Sequence, residues 1–233
     1  MSLSIVIPAY QEAENLAELL PAVKTAAEKI GVPYEVLVID TIIKMDAAEE
    51  VCKANGCTYV NREHGNNYGD AVRTGADKAS NEFTVFMDAD ASHNPKDIIR
   101  FYQKIENGYD LIIGSRYIHG GNSHNSIILK LMSYTLNLIY RLLFRIKAKD
   151  ISNSFRMYRT KQLKSLKLRC DNFDIVEEIL IKLSLSIPSF RLLEVPVFFE
   201  KRKYGKSKRN LLKFIFSYVK TIKRLFEVKY EKT

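Results

Sequence analysis

Asp88 and Asp90 flank Ala89 directly after the apolar run FTVFM. On an extended backbone, residues i and i+2 point to the same side, so the two carboxylates could share one divalent ion. Hard oxygen ligands of this kind suit Mg²⁺ or Mn²⁺. A cation set between two phosphates neutralises charge on a departing diphosphate. The same pair could instead cap a helix, and two acids at this spacing are common. Position carries the metal reading: the pair stands at an expected strand end, followed by His93 and by Asn94-Pro95, which suit the cap and first turn of a helix. His64, His93, His119 and His124 lack metal-ligand spacing and read as exposed loop residues.

The elements that must position these acids are legible as alternating short Val/Ile-rich runs and longer segments of helical periodicity, the pattern of an α/β fold with a mostly parallel sheet flanked by helices. Strands are expected over 3–8, 34–40, 57–60, 83–88 and 110–115, with helices around Leu16–Val23 and over 69–80 and 95–107. A long apolar helix then ends near Arg145, and another spans about 174–186. Asp40, Asp88 and Ser115 all close expected strands, and in open α/β sheets the ligand crevice lies beyond the carboxyl ends of the strands. The acids therefore converge on one expected site.

The ordered segments SIVIPAYQEAENL, EVLVID, NNYGDAVRTG, VFMDADASHNP, DLIIGSRYIHGG, KDISNSFRMYR, the stretch around Glu178 to Lys182, and EVPVFFEKRKYGKSK resemble glycosyltransferase family 2, in its polyprenyl-phosphate (dolichyl-phosphate) mannosyl- and glucosyltransferase branch. The resemblance runs from Ser4 to Lys208 and implies a GT-A type nucleotide-sugar-binding fold. It places Pro8, Tyr10, Glu12, Ile39 and Asp40 where the family cradles base and ribose. Asp88, Ala89 and Asp90 fall at the diphosphate and metal, and Arg116, Arg202 and Lys208 at phosphates. Glu178 falls on the acceptor side, to orient an acceptor or act as base; Asp90, Glu178 and Arg116 are the implied catalytic residues. The implied reaction is an inverting, metal-dependent transfer of a hexose from a GDP-mannose or UDP-glucose type donor to a polyprenyl phosphate. The alternatives are a glycan or other hydroxyl acceptor, or a non-catalytic nucleotide-sugar-binding relative. The chain departs from the family pattern at Thr41-Ile42-Ile43, at Ser92, where Gln often stands, and after Gly120-Gly121, where an expected Arg is replaced by Asn125 or Lys130.

By this reading, residues 1–209 form the catalytic domain, with 1–120 the donor half and 121–209 the acceptor half, and 210–233 a basic amphipathic helix. The formal charge of +9 belongs to that end: from Lys201 to Lys232 there are twelve Lys or Arg against Glu227 and Glu231, leaving 24 basic and 25 acidic residues elsewhere. Such an end suits an anionic partner. Leu211, Ile215, Tyr218, Ile222 and Leu225 share one helical face opposite Lys213, Lys220 and Arg224, a pattern that fits either core packing or a membrane interface. No reader motif or basic patch with stacking aromatics points to nucleic acid. Lys130, Asn137 and Arg141 interrupt 127–144, which reads as short of a membrane-crossing helix. The start of the chain has no basic segment of signal-peptide type, and Cys52, Cys57 and Cys170 have neither disulfide nor zinc spacing. A cytoplasmic protein, peripheral at the inner face of the membrane, is expected.

Overall fold

The computed structural model describes residues 1–124, 126–204 and 218–227. Its centre is a seven-stranded sheet in the order β3-β2-β1-β4-β7-β5-β8. The strands are β1 (Leu3–Pro8), β2 (Tyr34–Asp40), β3 (Thr58–Asn61), β4 (Phe83–Phe86), β5 (Leu111–Ser115), β7 (Arg156–Arg159) and β8 (Leu192–Pro196). β7 alone is antiparallel to its neighbours, inserted between β4 and β5. A small second sheet pairs β6 (Asn122–Ser123) with β9 (Phe198–Phe199).

The strands carry near-continuous apolar runs because both sheet faces are covered. On β1, Leu3, Ile5 and Ile7 enter one core cluster with α1 (Ala13–Ile30), α2 (Ala48–Ala54) and α4 (Lys96–Ile105), whereas Val6 enters the other. β2 divides likewise, with Val36 and Val38 on the first face and Leu37 and Ile39 on the second. The second face is covered by α3 (Tyr68–Lys78), α5 (Ile127–Phe144), α6 (Thr160–Lys164) and α7 (Ile175–Ser186). A period-two strand placed between two helical layers produces this division.

The α/β expectation and the bounds of β1 and β2 hold as read from the sequence. The strand expected over 83–88 ends at Phe86. Met87 still donates to Val6 O, but the Asp88 N–H turns to His93 Nδ1, so Asp88 and Asp90 sit in the turn beyond the strand rather than on alternating strand positions. Residues 218–227 are helical, and Tyr218 and Leu225 are buried in the second cluster, with Tyr140 against Tyr218 and Phe144 against Phe226. The apolar face of this stretch is therefore packed on the domain, while Lys220 and Lys223 are exposed. Lys208, Asn210, Leu211, Lys213 and Ile215 lie outside the described residues.

Gly69 shows why α3 lies where it does. A Cβ there would meet Cys170 O at 2.2 Å, and its own N–H donates to Asp171 O at 2.8 Å. Gly69→Ala is expected to lower stability by about 1–3 kcal/mol through overpacking against immovable backbone, read as a lower denaturation midpoint.

Candidate active site

The carboxyl ends of β1, β2, β4 and β5 open on one edge of the sheet. Beyond β4, Ala91 adopts φ 61°, a left-handed conformation that costs a non-glycine residue energy and closes the Asp88–Ser92 turn tightly. Ser92 N donates to Asp90 Oδ1 at 3.1 Å within that turn. Asp88 is 9% exposed and accepts Ser154 Oγ at 2.9 Å.

Behind the turn lies His93, 2% exposed and stacked on Phe155 with centroids 4.7 Å apart. Its Nδ1 accepts the Asp88 N–H at 3.0 Å, so its Nε2 carries the proton shared with Asn153 Oδ1 at 3.3 Å. Burial lowers its pKa and keeps it neutral. His93 is thus not the exposed loop residue expected from the sequence; a neutral ring in the core is the cheapest way to hold the Asp88 backbone. Asn153 continues the brace to Gly114 O at 2.6 Å.

The other carboxylate faces a strap formed by the chain after β9. Glu200 N donates to Ser92 O and Lys203 N to Asp90 O. Arg202 places Nη1 2.8 and 2.9 Å from the two oxygens of Glu12 and Nη2 3.4 Å from Asp90 Oδ2. Glu12, 6% exposed, also accepts Asn15 Nδ2 at 2.6 Å. Glu12, Asp90 and Arg202 are therefore brought together, while Asp88, two residues earlier in the same turn, is held by Ser154.

Asp40, at the end of β2, is 1% exposed. Its Oδ2 accepts Tyr59 Oη at 3.2 Å, its Oδ1 has no partner among the described residues, and burial raises its pKa. An orphaned buried acceptor at a strand end suits an N–H or O–H donor from a ligand. Arg62, which the sequence reading passed over, ties this region together by donating to Ala9, Asn66 and Asn67 carbonyls. Pro8 and Ala89 are buried, Tyr10 is 38% exposed at the crevice edge, and Ile39 is fully buried in the second core cluster with its carbonyl taken by Ala9 N. Any part Ile39 plays at the crevice passes through its backbone.

Two residues assigned to catalysis have most of their polar atoms committed elsewhere. Arg116 donates from Nε and Nη2 to the two oxygens of Asp150, at 2.8 and 2.7 Å, and from Nη2 to Ser133 and Ser152. Glu178 is fully buried on α7 and accepts Arg169 N, Cys170 N at 2.8 Å and Lys182 Nζ at 2.6 Å. Its geometry is that of a tether for the chain preceding α7. Burial alone would raise its pKa, but Lys182 and the backbone donors more than offset this and lower it. A carboxyl depressed in the fold contributes stability above its unfolded pKa, about 4.3, and that stability is lost as pH falls through the folded pKa. Glu178→Gln is expected to cost about 1–3 kcal/mol at neutral pH and to flatten the acid limb of a stability-versus-pH curve measured by urea unfolding.

No group of three His, Cys, Asp or Glu capable of holding a metal occurs among the described residues. Asp88 and Asp90 supply two hard oxygen donors at one turn, which fits a cation that takes its remaining ligands from a diphosphate; Arg202, now paired with Asp90, would share that carboxylate with the cation.

The comparisons with known proteins agree with this architecture. The model of a family described as "Glycosyl transferase family 2" matches residues 4–167. Among curated proteins, the chain is 34% identical over 233 residues to a dolichol-phosphate mannosyltransferase of Pyrococcus furiosus, covering 97% of this chain and 64% of that protein. It is 28% identical over 221 residues to an undecaprenyl-phosphate 4-deoxy-4-formamido-L-arabinose transferase of Pectobacterium atrosepticum, covering 92% and 64%. The chain thus spans a little under two thirds of the length of these relatives. Among solved structures, glucosyl-3-phosphoglycerate synthase of Mycobacterium tuberculosis with Mn²⁺, uridine diphosphate and glucosyl-3-phosphoglycerate matches with a TM-score of 0.71 at 17% identity, covering 95% of this chain and 77% of that one. The same protein with Mg²⁺ and uridine diphosphate matches with a TM-score of 0.72 at 16% identity, covering 95% and 76%. These likenesses establish the GT-A type of α/β fold.

Proposed function

The chain belongs to glycosyltransferase family 2, and from that premise we propose that it transfers a hexose from a nucleotide sugar to a polyprenyl phosphate with inversion at the anomeric carbon. The observation that carries the reading is the Asp88–Asp90 turn with Glu12 and Arg202 gathered at Asp90, at the same strand ends as Asp40, whose Oδ1 has no partner among the described residues. The names of the two curated relatives, a dolichol-phosphate and an undecaprenyl-phosphate transferase, support the acceptor class.

In this reading Asp40 accepts a hydrogen bond from base or ribose, and the Pro8–Glu12 loop lines the donor's nucleoside. Asp88 and Asp90 would hold Mg²⁺ or Mn²⁺, which neutralises charge on the leaving diphosphate. Arg202, already at the turn, turns its fork to phosphate oxygens, and Lys208 follows on the same segment. An acceptor phosphate oxygen forms the new bond to the anomeric carbon as the bond to the diphosphate oxygen breaks, and the nucleoside diphosphate departs with that electron pair. The acceptor is already anionic near neutral pH, so no strong base is needed. That agrees with the committed oxygens of Glu178, which are poorly placed to deprotonate a hydroxyl. Residues 1–120 form the donor half and 121–209 the acceptor half, at the inner face of a membrane.

Incubating the chain with Mn²⁺ or Mg²⁺, polyprenyl phosphate and either GDP-mannose or UDP-glucose is expected to give a lipid-linked sugar with one donor. Metal-dependent nucleotide binding with no transfer to any acceptor would instead establish the non-catalytic alternative. Transfer to a soluble hydroxyl acceptor that collapses on Glu178→Gln, under conditions where urea unfolding shows the variant still folded, would establish the hydroxyl route.

A further inference from the structure

α5 was expected to fall short of a membrane-crossing helix, yet by length and composition it is long and apolar enough to cross one, and only 17% of it is buried. Its Asn137, Tyr140 and Phe144 are anchored in the domain. The opposite side carries Ile127, Leu131, Tyr134, Leu138 and Leu142, exposed by 84, 64, 52, 39 and 71%. Positions 127, 131, 134, 138 and 142 fall on a single helical stripe. A helix fastened to a polar domain along one side and bare along the other can be buried only to part of its depth, as in a membrane interface.

A cleft of about 210 Å³ opens at the edge of this stripe, lined by Tyr117, Tyr134, Asn137, Leu138, Arg141 and Lys149. Its charges are both positive. Asn137 is 2% exposed; its Oδ1 accepts Ile151 N at 3.1 Å, which fixes the amide, and its Nδ2 has no partner among the described residues. The buried Nε of Arg141 has none among them either. Two cationic side chains lining one cleft, with two buried donors unsatisfied among the described residues beside them, form a site for an anion with several acceptor oxygens. The sequence from Leu111 to Lys149 contains no acid and, beside Arg116, which is paired with Asp150, carries Lys130, Arg141, Arg145, Lys147 and Lys149; of the acids outside that stretch, Glu194 accepts the Lys149 backbone N–H.

We infer that this cleft binds the phosphate of an anionic phospholipid headgroup while the α5 stripe lies in the bilayer interface. Headgroup phosphates lie at the level of the stripe's edge once its apolar residues are immersed, and that is where the cleft opens. The inference deepens the membrane reading above and does not depend on the donor chemistry.

The test is co-sedimentation of the full chain with phosphatidylcholine vesicles and with vesicles also containing phosphatidylglycerol. Near an anionic surface each cation is worth roughly a five-fold change in partition. Arg141→Gln/Lys149→Gln is expected to lose binding to the phosphatidylglycerol vesicles by at least a further five-fold beyond Arg145→Gln/Lys147→Gln, which removes equal charge outside the cleft. Equal losses would mean diffuse attraction and overturn the site; Lys149→Gln alone serves if the pair misfolds by circular dichroism. Leu131→Ser/Leu142→Ser is expected to weaken binding to both vesicle types, and unchanged binding overturns the interfacial helix. Calorimetric titration with glycerol phosphate separates the sources: binding of the free anion by a chain that ignores vesicles overturns the lipid assignment. Titration of the same variants with Mn²⁺ and nucleotide reports on the donor site separately, so loss of one activity is distinguishable from loss of the other.

Discussion

Asp90→Asn is expected to lower sugar transfer by about a hundred- to a thousand-fold, the usual effect of removing one preorganised electrostatic group from a site of charge development. The carboxamide keeps an oxygen for the Ser92 N–H, so the turn survives. What disappears is one of the two carboxylates at the turn and the partner of Arg202 Nη2. Folding stability should change little, because the Arg202 side chain is 23% exposed and keeps both oxygens of Glu12. The metal concentration needed for half-maximal transfer should rise along with the fall in rate. Transfer within ten-fold of the parent, at an unchanged metal requirement, would remove Asp90 from the diphosphate site.

The sequence exposed those parts of the molecule where local pattern and burial agree. β1 and β2 are apolar without interruption because both faces are covered, and their ends follow from Pro8 and Asp40. β7 was not legible, since RMYR begins with an arginine that sequence reasoning assigns to the surface. In the fold Arg156 is fully buried, with its donors on the carbonyls of Ile151, Asn153 and Val176. The same blindness to distant partners explains His93 and Glu178. His93 becomes a brace only when Asn153 and Phe155 arrive from sixty residues away. Glu178 spends its charge on Lys182 and the loop at Arg169–Cys170. Motif order placed Asp88 and Asp90 together at a strand end, but the turn that holds them and their separate partners, Ser154 and Arg202, are tertiary facts.

The largest stability effect is expected at a residue that lies in the KDISNSFRMYR segment but is given no role by the resemblance. Asp150→Asn should destabilise the fold by about 3–5 kcal/mol, the range for removing one member of a buried ion pair. The Asp150 side chain is fully buried and that of Arg116 is 8% exposed. Asp150 Oδ2 accepts both the backbone N and Nε of Arg116, and Oδ1 accepts Nη2. An asparagine must turn an NH₂ toward one of these donors, leaving a guanidinium without its counter-charge. The loss would spread, because Arg116 Nη2 also holds Ser133 on α5 and Ser152, while Glu194 pins the backbone N–H groups of Lys149 and Asp150. Arg116→Gln/Asp150→Asn removes the stranded charge as well and should be more stable than the sum of its single changes, a coupling read from the double-mutant cycle. Urea midpoints of the four proteins measure both quantities. A single Asp150→Asn change costing less than about 1 kcal/mol, with additive behaviour in the cycle, would show that Arg116 is held by its other contacts and free to serve the phosphate of a ligand.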